Sequence, residues 1–379
     1  MTADNNATAE KIASLIDVIK EKGSLLNTKK ITAGFDGFVD TIVKIIKNKH
    51  EVKEPDLFHT IEEFGSYILE KKGSSFSLEV EERSVKIGGN MPIIANALGS
   101  LDISVNCIGA LGYPQTHKVF KDFSKHCRFY SFTDPGTSTA FEFNDGKILV
   151  AHMGSLNTIE WEGIKNIIGL DVLIGLYRES DLLCMVNWSE IDSSSNIWRG
   201  LLRDVFPHYS SAGAQQLSFF DLSDCSKRSN AAISEALQLL SEFAKYTKVT
   251  LGLNKNEARW IHQALFGKTG GEELGQLGER IFKKLSIETL LLHSSKEAMA
   301  INRHDSFISN SFFISNPKLS TGAGDNFNAG FNAAQLLGLE LESCLIFANA
   351  VSGYYVKRGL SPQLRDIVYF LEENKTHKG

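Results

Sequence analysis

The second half of the chain alternates short apolar segments with longer stretches of helical periodicity, and this pattern constrains the fold more than any other feature. The apolar segments lie at 172–174, 183–186, 217–220, 249–251 and 289–292. Strands separated by helices in this way form βαβ units, which pair in parallel and need helices on both faces of the sheet. The sequence therefore predicts an α/β fold with a doubly wound, mostly parallel sheet sandwiched by helices.

The first half of the chain supplies further elements of this sheet and a smaller second sheet. Helical spacing predicts helices at about 12–19, 55–72 and around 95–98, and short apolar segments predict strands at 30–34 and 105–108. Residues 75–80 alternate apolar and polar side chains, and residues 140–143 and 148–150 flank an Asp-Gly turn that favours a hairpin. We expect a single domain over 1–379, with a small β-sheet lid formed by segments at about 41–86 and 128–153.

Composition excludes several classes of protein. Hydrophobic residues make up 42% of the 379 residues, which is enough for a core and excludes a disordered chain. The 40 basic and 45 acidic residues give a net charge of −5. The chain therefore lacks the excess of basic residues that would indicate nucleic acid or an anionic membrane as a partner. No apolar run reaches the roughly 18 residues that span a bilayer, no secretory signal is recognisable, and the five dispersed cysteines are typical of reduced thiols. We expect a cytoplasmic protein.

The segment STGAGDNF at 320–327 carries the strongest chemical signal. Gly322, Ala323 and Gly324 are small enough for backbone amides to converge at the start of a helix, where the helix dipole helps to hold an anion. A carboxylate at Asp325 makes sense there if it accepts a proton from an attacking hydroxyl while the amides hold a migrating phosphoryl group. A tight turn followed by an acidic helix start explains the same residues about equally well, so both interpretations stay open.

The motif NKNE at 254–257 follows the apolar segment 249–251. Asn254 and Glu257, at the carboxyl end of a strand, can hold water molecules of a Mg²⁺ ion, which keeps much of its hydration shell. The same two residues also suit a helix cap, and from the motif alone the cap is the favoured interpretation.

Two glycine-containing segments can bind the hydroxyl groups of a sugar or similar polyol. In GFDGFVD, Asp36 and Asp40 can accept hydrogen bonds from hydroxyls, although turns commonly contain such residues. In the GGN segment, Gly88, Gly89 and Asn90 would let a polyol approach the backbone closely, although a loop before a helix explains them too.

In this order and spacing, the four motifs resemble the ribokinase-like (PfkB) carbohydrate kinase family, from about residue 30 to about residue 362. LSTGAGDNFNAGF resembles the family signature DTxGAGDxFxxGF, and IGGNMPIIANAL resembles GGNxxNxAxxL. NKNE resembles its NxxE metal and phosphate motif, and FVD resembles its substrate-binding aspartate after the first strand. The resemblance implies a ribokinase-like fold with a β lid, and transfer of the γ-phosphoryl group of ATP to a hydroxyl of a carbohydrate or small polyol.

The resemblance also implies roles for individual residues. The general base would be Asp325, beside an anion hole formed by Gly322, Ala323 and Gly324. Asn254 and Glu257 would organise Mg²⁺ and phosphate. The acceptor contacts would be Asp36, Asp40, Gly88, Gly89 and Asn90, and the nucleotide contacts would be Thr321, Ser295, Asn349 and Ser352. ATP and Mg²⁺ are the implied cofactors, with a monovalent cation as a further candidate and a homodimer through the lid as a candidate assembly.

The chain departs from the family pattern at several positions. Ile93 replaces the second asparagine of the N-terminal signature, Ser320 replaces the aspartate before Thr321, and HSSKEA at 293–298 replaces the TxGxxG nucleotide loop. GFDGFVD and the histidine of HSS also resemble the related ADP-dependent sugar kinases. Three alternatives therefore stay open: an ADP-dependent sugar kinase, a nucleoside kinase, and a non-catalytic protein that binds a sugar or nucleotide.

Overall fold

The computed structural model describes residues 2–51, 53–209, 215–267 and 273–375, with side chains from residue 9 onward. The helices are α1 (Thr2–Lys22), α2 (Ile61–Glu70), α3 (Asn90–Ser100), α4 (Trp161–Ile168), α5 (Leu170–Arg178), α6 (Ser194–Asp204), α7 (Asn230–Phe243), α8 (Lys255–Phe266), α9 (Leu274–Phe282), α10 (Ala323–Leu336), α11 (Leu341–Arg358) and α12 (Leu364–Asn374). The strands are β1 (Lys30–Phe35), β2 (Phe38–Asn48), β3 (Asp56–Leu57), β4 (Glu79–Gly88), β5 (Ser104–Gly109), β6 (Cys127–Ser131), β7 (Gly136–Glu142), β8 (Lys147–His152), β9 (Leu182–Met185), β10 (Leu217–Asp221), β11 (Lys248–Asn254), β12 (Thr289–His293), β13 (Glu297–Ile301) and β14 (Ser306–Asn310).

The large sheet has nine strands within the described residues, in the order β14-β13-β12-β11-β10-β9-β1-β5-β6. All pairs from β12 to β6 are parallel, and β13 and β14 extend the sheet in antiparallel fashion. From β1 the chain continues to β5 and β6 on one side, and later to β9 and the following strands on the other. The predicted mostly parallel α/β sheet is confirmed.

Both faces of the large sheet are buried under helices. The helices α1, α3, α10, α11 and α12 contribute apolar side chains to one core, and α4 to α9 contribute to the other. Within β9, Leu182 and Cys184 belong to the first core, whereas Leu183 and Met185 belong to the second. Because successive strand residues point to opposite faces, a strand covered on both sides needs an uninterrupted apolar run, which is why these segments were recognisable in the sequence.

The smaller sheet forms the lid. Its long strand β2 pairs with β4 in antiparallel fashion and with β7 in parallel, β8 pairs with β7, and β3 pairs with the end of β2. The predicted hairpin is present as β7 and β8. The segment 128–153 expected in the lid also contains most of β6, but β6 pairs with β5 and so belongs to the large sheet.

One predicted strand of the large sheet is a helix. Residues 172–174 lie inside α5, where Leu173 and Tyr177, four residues apart, are both buried on one face. A short apolar run fits either element by itself, and here the helical spacing of the next buried residue decides between them.

The predicted elements around α2 are shifted at their ends. The helix expected over 55–72 starts at Ile61, after Thr60, which caps it by accepting a hydrogen bond from the amide of Glu63 at 3.1 Å. The strand expected at 75–80 starts at Glu79, and Phe76 packs instead against Tyr67, with 5.7 Å between ring centroids. Among the described residues, no helix combines the length and apolar character needed to cross a bilayer.

Candidate active site

The carboxyl ends of neighbouring strands of the large sheet converge at one edge, close to the start of α10. Asp36 follows β1, Asn187 lies two residues after β9, and Asp221, Asn254 and His293 end β10, β11 and β12. In open α/β sheets, ligands bind outside the carboxyl ends of the strands, at the point where the chain order reverses. That point here lies between β1 and β9, where Asn187 donates a 2.7 Å hydrogen bond to Asp36.

Two cavities among the described residues lie next to the segment 319–324, which contributes to both. The larger cavity has a volume of 670 Å³ and is lined by His293, Ser294, Ser295, Asn349, Ser352 and residues of the start of α10. The smaller cavity has a volume of 230 Å³ and is lined by Asp40, Lys86, Ile93, Asn96, Thr321 and Tyr355, among others. This segment therefore lies where the two cavities approach each other, and Asp325 directly follows it.

Asp40 lines the smaller cavity and lies on β2, next to β4 and β7. Its Oδ1 accepts a 2.6 Å hydrogen bond from Ser138, its register partner on β7. Burial raises the pKa of Asp40, and the hydrogen bond from Ser138 and the charge of Lys86 oppose that rise. A Cβ atom at Gly88 would overlap the Asp40 carboxylate. The carboxylate can occupy this position because the last residue of β4 is a glycine.

Asp36 is completely buried and lines neither cavity. Its carboxylate accepts hydrogen bonds from the amide of Met91 at 2.8 Å and from the side chain of Asn187 at 2.7 Å. Burial raises the pKa of Asp36 to about 7. Gly89 has a φ of +90°, and a Cβ there would contact the Asp36 carboxylate. These contacts hold the start of α3 and residues 88–90 in place, and a direct contact of Asp36 with the acceptor stays a prediction.

The start of α10 is held in position by α11. Gly322 precedes the helix with a φ of +87°, a conformation that favours glycine. The Tyr355 hydroxyl donates to the carbonyl of Thr321 at 2.8 Å, and the Ser352 hydroxyl donates to the carbonyl of Ala323 at 2.9 Å. The first-turn amides of a helix have no partner within the helix, so the amide of Gly324 can bind an anion.

Asp325 lies in the first turn of α10 among other acidic groups. Its pKa is raised well above the ordinary aspartate value, first by burial and then by repulsion from Asp221 and Asp36. Burial likewise raises the pKa of Asp221 to about 6. Burial, and next the charge of Asp221, raises the pKa of Glu257 well above its ordinary value. This set of carboxylates strongly favours protons or a cation.

Asn254 and Glu257 form the helix cap that their spacing allowed. The Asn254 side chain accepts from the amides of Asn256 at 2.9 Å and Glu257 at 3.0 Å, and Glu257 accepts from the amide of Asn254 at 2.8 Å. This reciprocal arrangement is a capping box at the start of α8. It leaves open whether the same carboxylate also serves a metal ion, since each oxygen keeps a second lone pair.

The acidic set fits a hydrated Mg²⁺ ion better than a metal held by protein alone. The described residues contain no group of three or more histidine, cysteine or acidic side chains arranged to hold a metal ion directly. Mg²⁺ usually keeps several waters and binds through one or two carboxylates together with substrate phosphates. Glu257 and Asp221, whose mutual repulsion raises the pKa of Glu257, suit contacts of this kind.

His293 stands beside the start of α10, at the end of β12. A Cβ on Gly324 would lie 3.1 Å from Cε1 of His293, and the imidazole packs on Phe327 with 5.1 Å between ring centroids. Burial lowers the pKa of His293 to about 4, so the ring is neutral at pH 7 and can donate one hydrogen bond without adding charge. It occupies the place where the sequence departs from the TxGxxG loop.

The predicted nucleotide contacts divide between the two cavities. Ser295, Asn349 and Ser352 line the larger cavity, whereas Thr321 lines the smaller one. Asn349 also donates to Ser309 and to the carbonyl of Asn310, both at 3.2 Å.

Sequence reasoning missed Lys86, Asn96, Asn187, Asp221 and Tyr355. Asp221 alone had a usable signal, since it directly follows the apolar segment 217–220.

The chain matches the family model described as prokaryotic ketohexokinase over residues 5–374. It belongs to this family. It is therefore a carbohydrate kinase, a phosphotransferase with an alcohol group as acceptor, and the resemblance to ribokinase-like kinases is confirmed. A curated protein named ketohexokinase from Haloferax volcanii is 26% identical over 343 residues, which cover 90% of each chain.

Solved structures of ribokinases share the fold. Ribokinase from Thermotoga maritima matches with a TM-score of 0.62 at 15% identity, over 91% of this chain and 99% of that one. A putative ribokinase II from E. coli, in complex with ATP and Mg²⁺, matches with a TM-score of 0.60 at 13% identity, over 91% and 99% of the two chains. At these identities the likeness establishes the ribokinase fold.

Proposed function

We propose that this kinase transfers the γ-phosphoryl group of ATP to a hydroxyl of a ketohexose, with Asp325 as the general base. The observation that carries the proposal is that residues 319–324, which lead directly to Asp325, line both a cavity of nucleotide size and a small cavity that contains Asp40. The name of the Haloferax volcanii relative supports a ketohexose as acceptor, and the ATP complex of the E. coli ribokinase II supports the donor.

The acceptor would bind in the smaller cavity. Asp40 can accept hydrogen bonds from sugar hydroxyls, and Gly88, Gly89 and Asn90 form the adjacent backbone. Asn96 lines the same cavity one turn after Ile93 on α3. Its Oδ1 already accepts from the amide of Ser124 at 2.9 Å, so its NH₂ group would be the part that donates to the acceptor, in place of the asparagine that Ile93 replaces.

The nucleotide would occupy the larger cavity, with its terminal phosphate at Gly322, Ala323 and Gly324. Ser295, Asn349 and Ser352 would contact the rest of the nucleotide, and Thr321 would lie between nucleotide and acceptor. Asn254, Glu257 and Asp221 would hold Mg²⁺ through water. When bound, Mg²⁺ neutralises negative charge on the phosphates.

In the reaction, Asp325 would accept the proton of the attacking hydroxyl as its oxygen forms a bond to the γ-phosphorus. The bond between the γ-phosphorus and the bridging oxygen breaks, and ADP leaves with that oxygen. The amide of Gly324 would stabilise charge on the migrating group. A carboxylate whose pKa lies well above the ordinary value is a stronger base, which suits proton removal from an alcohol near neutral pH.

The test is a turnover assay on a panel of donors and acceptors. D-Fructose and other ketohexoses, aldohexoses, ribose and adenosine are supplied with ATP or with ADP at equal Mg²⁺, in the absence of adenylate kinase. We expect phosphorylation of a ketohexose with ATP. Faster turnover with ADP would reverse the donor assignment, an outcome that the histidine-led loop at His293 specifically favours. No turnover with any ketohexose would refute the acceptor.

A homodimer through the lid remains part of the proposal. Four apolar side chains on the lid strands are exposed, namely Val80, Val85, Leu149 and Val150, at 48, 43, 59 and 56%. Successive strand residues point to opposite faces, so a contact between two lids would bury the exposed apolar side chains of one face. Light scattering on the wild-type chain and on the variant Leu149→Lys tests this, and a monomeric wild type would refute it.

Addition of K⁺ or Na⁺ to the turnover assay tests whether a monovalent cation is a cofactor.

A further inference from the structure

The smaller cavity holds one ammonium group as well as one carboxylate. Among its lining residues, Asp40 and Lys86 are the charged ones. They are register partners on the antiparallel strands β2 and β4, so both side chains stand on the same face of the lid sheet. The lid therefore presents a hydrogen-bond acceptor and a hydrogen-bond donor side by side to whatever fills the cavity.

Lys86 is half-buried, and it forms neither a hydrogen bond nor an ion pair with the described residues. Lys147 on the neighbouring lid strand β8 differs, because it pairs with Glu142 at 3.1 Å. A half-buried ammonium without a hydrogen-bond partner has lost part of its hydration, and the nearby charge of Asp40 offsets only part of that loss, which is the condition expected of a group that awaits a ligand.

Two hydroxyl groups around the cavity already donate within the protein. The Tyr355 hydroxyl donates to the carbonyl of Thr321, and the Ser361 hydroxyl donates to Asn326 at 2.8 Å. Asp40 keeps lone pairs beyond the bond from Ser138, and Lys86 keeps its three N–H groups. These two charged side chains, together with the Asn96 amide, can therefore meet the hydroxyl groups of an acceptor.

We propose that Lys86 is a specificity-determining residue that donates hydrogen bonds to an oxygen of the acceptor sugar while a neighbouring hydroxyl of that sugar donates to Asp40. This inference rests on the proposed function, since it assigns how the ketohexose is held. The charges of Asp40 and Lys86 sum to zero, so the cavity suits an uncharged polyol. A phosphorylated or acidic sugar would gain from Lys86 but would face the Asp40 carboxylate. The volume of 230 Å³, below the roughly 300–1,000 Å³ of drug-sized sites, suits a single monosaccharide.

The first experiment compares Lys86→Met with the matched control Lys147→Met on the same lid. Because hydrogen bonds to charged groups are among the stronger ones, we expect Lys86→Met to raise KM for D-fructose by about 10- to 100-fold. The KM for ATP should change less than about 2-fold, and Lys147→Met should resemble wild type. Lys86→Arg, which keeps the charge, should recover part of the affinity, and thermal unfolding of all variants checks that the fold is retained. An unchanged KM for D-fructose in a folded Lys86→Met protein would overturn the proposal.

The second experiment locates the contact with a series of monodeoxy analogues of D-fructose. If Lys86 binds a particular oxygen, the analogue that lacks this oxygen should bind wild type weakly. Its affinity for wild type should be no lower than the affinity of Lys86→Met for D-fructose. Losses that multiply independently at every position would overturn the contact. Preference of wild type for D-fructose 6-phosphate or for a sugar acid would overturn the uncharged acceptor. If a different neutral sugar proves to be the substrate, the proposed function fails, and the same comparison made with that sugar still decides the role of Lys86.

Discussion

At the scale of single residues, the site depends on carboxylates that are kept out of water. Asp36 and Asp325 belong to two short motifs that are far apart in the chain, yet each affects the protonation of the site. Asp36 accepts hydrogen bonds from Met91 and Asn187, whereas Asp325, among the described residues, accepts one only from its own amide. The two residues should therefore respond differently to removal of their charge.

Asp325→Asn should lower kcat by about 10²- to 10⁴-fold, the usual contribution of a general base, with little change in nucleotide affinity. Asparagine has nearly the same shape but cannot accept the proton. Steady-state kinetics together with calorimetric titration of an ATP analogue provides the measurement. A variant that turns over within a few-fold of wild type would remove Asp325 from this role.

Asp36→Asn should leave the fold intact and flatten the dependence of stability on pH. The pKa of Asp36 rises from 3.8 to about 7 in the folded state, so its contribution is fully present below pH 3.8 and is lost as the pH rises towards 7. The substitution should remove a slope of at most about 1.4 kcal/mol per pH unit in the free energy of unfolding. Urea titrations from pH 4 to pH 8 provide the measurement.

The asparagine of the Asp36→Asn variant can be accommodated because the side-chain amide of Asn187 can rotate by half a turn. Its oxygen can accept from the amide of Met91, and its NH₂ group can donate to Oδ1 of Asn187, which lacks a hydrogen-bond partner among the described residues. Asp36→Ala is the control, since it leaves buried donors unpaired and should cost about 1–3 kcal/mol. If both variants have the wild-type slope, Asp36 does not titrate as described.

At the scale of elements, the start of α8 combines a structural task with a proposed binding one. The capping box joins Asn254 and Glu257, which the family resemblance also implicates in binding Mg²⁺ and phosphate. A glutamine at N3 can complete a capping box as well as a glutamate, so the cap can be preserved while the charge is removed. The two roles can thus be separated by substitution.

Glu257→Gln should keep the thermal stability close to that of wild type while it raises the Mg²⁺ concentration needed for half-maximal activity. The lost charge weakens attraction for a hydrated divalent ion, whereas the hydrogen bond to the amide of Asn254 can persist. Asn254→Ala is the matched control for the cap and should cost about 0.5–2 kcal/mol. A Mg²⁺ titration that superimposes on wild type would leave Glu257 with the cap alone.

At the scale of the whole molecule, folding brings together four carboxylates, Asp36 after β1, Asp221 on β10, Glu257 on α8 and Asp325 on α10. Burial raises the pKa of Asp221 to about 6 and that of Asp36 to about 7, and the pKa of Glu257 and of Asp325 is also raised well above the ordinary value. Groups whose folded-state pKa is raised stabilise the fold at low pH and lose that contribution as the pH rises. The unliganded protein should therefore become less stable between about pH 4 and pH 7.

Binding of ATP with Mg²⁺ should stabilise the protein more at pH 8 than at pH 6. At the higher pH more of the carboxylates are ionised, Asp221 and Asp36 among them, and a divalent cation relieves their mutual repulsion. Differential scanning fluorimetry with and without Mg²⁺ and a non-hydrolysable ATP analogue provides the measurement, with the analogue alone as the control. An equal gain in Tm at both pH values would contradict this electrostatic account.

Much of the fold could be predicted from the sequence because its signals are local. The apolar runs that became β9 to β12 reflect burial on two faces, and the capping of α8 depends on neighbours three residues apart. Asn254 and Glu257 could be placed at the end of a strand because they follow such an apolar run in the sequence. Residues 172–174 were assigned wrongly because a short apolar run carries no periodicity that separates strand from helix.

The chemistry of the amino acids and their local spacing thus determined the α/β fold class, the strand-end motifs and the kinase family. Only the tertiary structure decided which side chains face a cavity. Lys86 stands opposite Asp40 through the register of two lid strands, Asp36 is buried against Asn187, which is far from it in the chain, and Thr321 lies beside the smaller cavity. Strand register, burial and the resulting pKa values depend on contacts between residues far apart in the chain, and no local pattern records them.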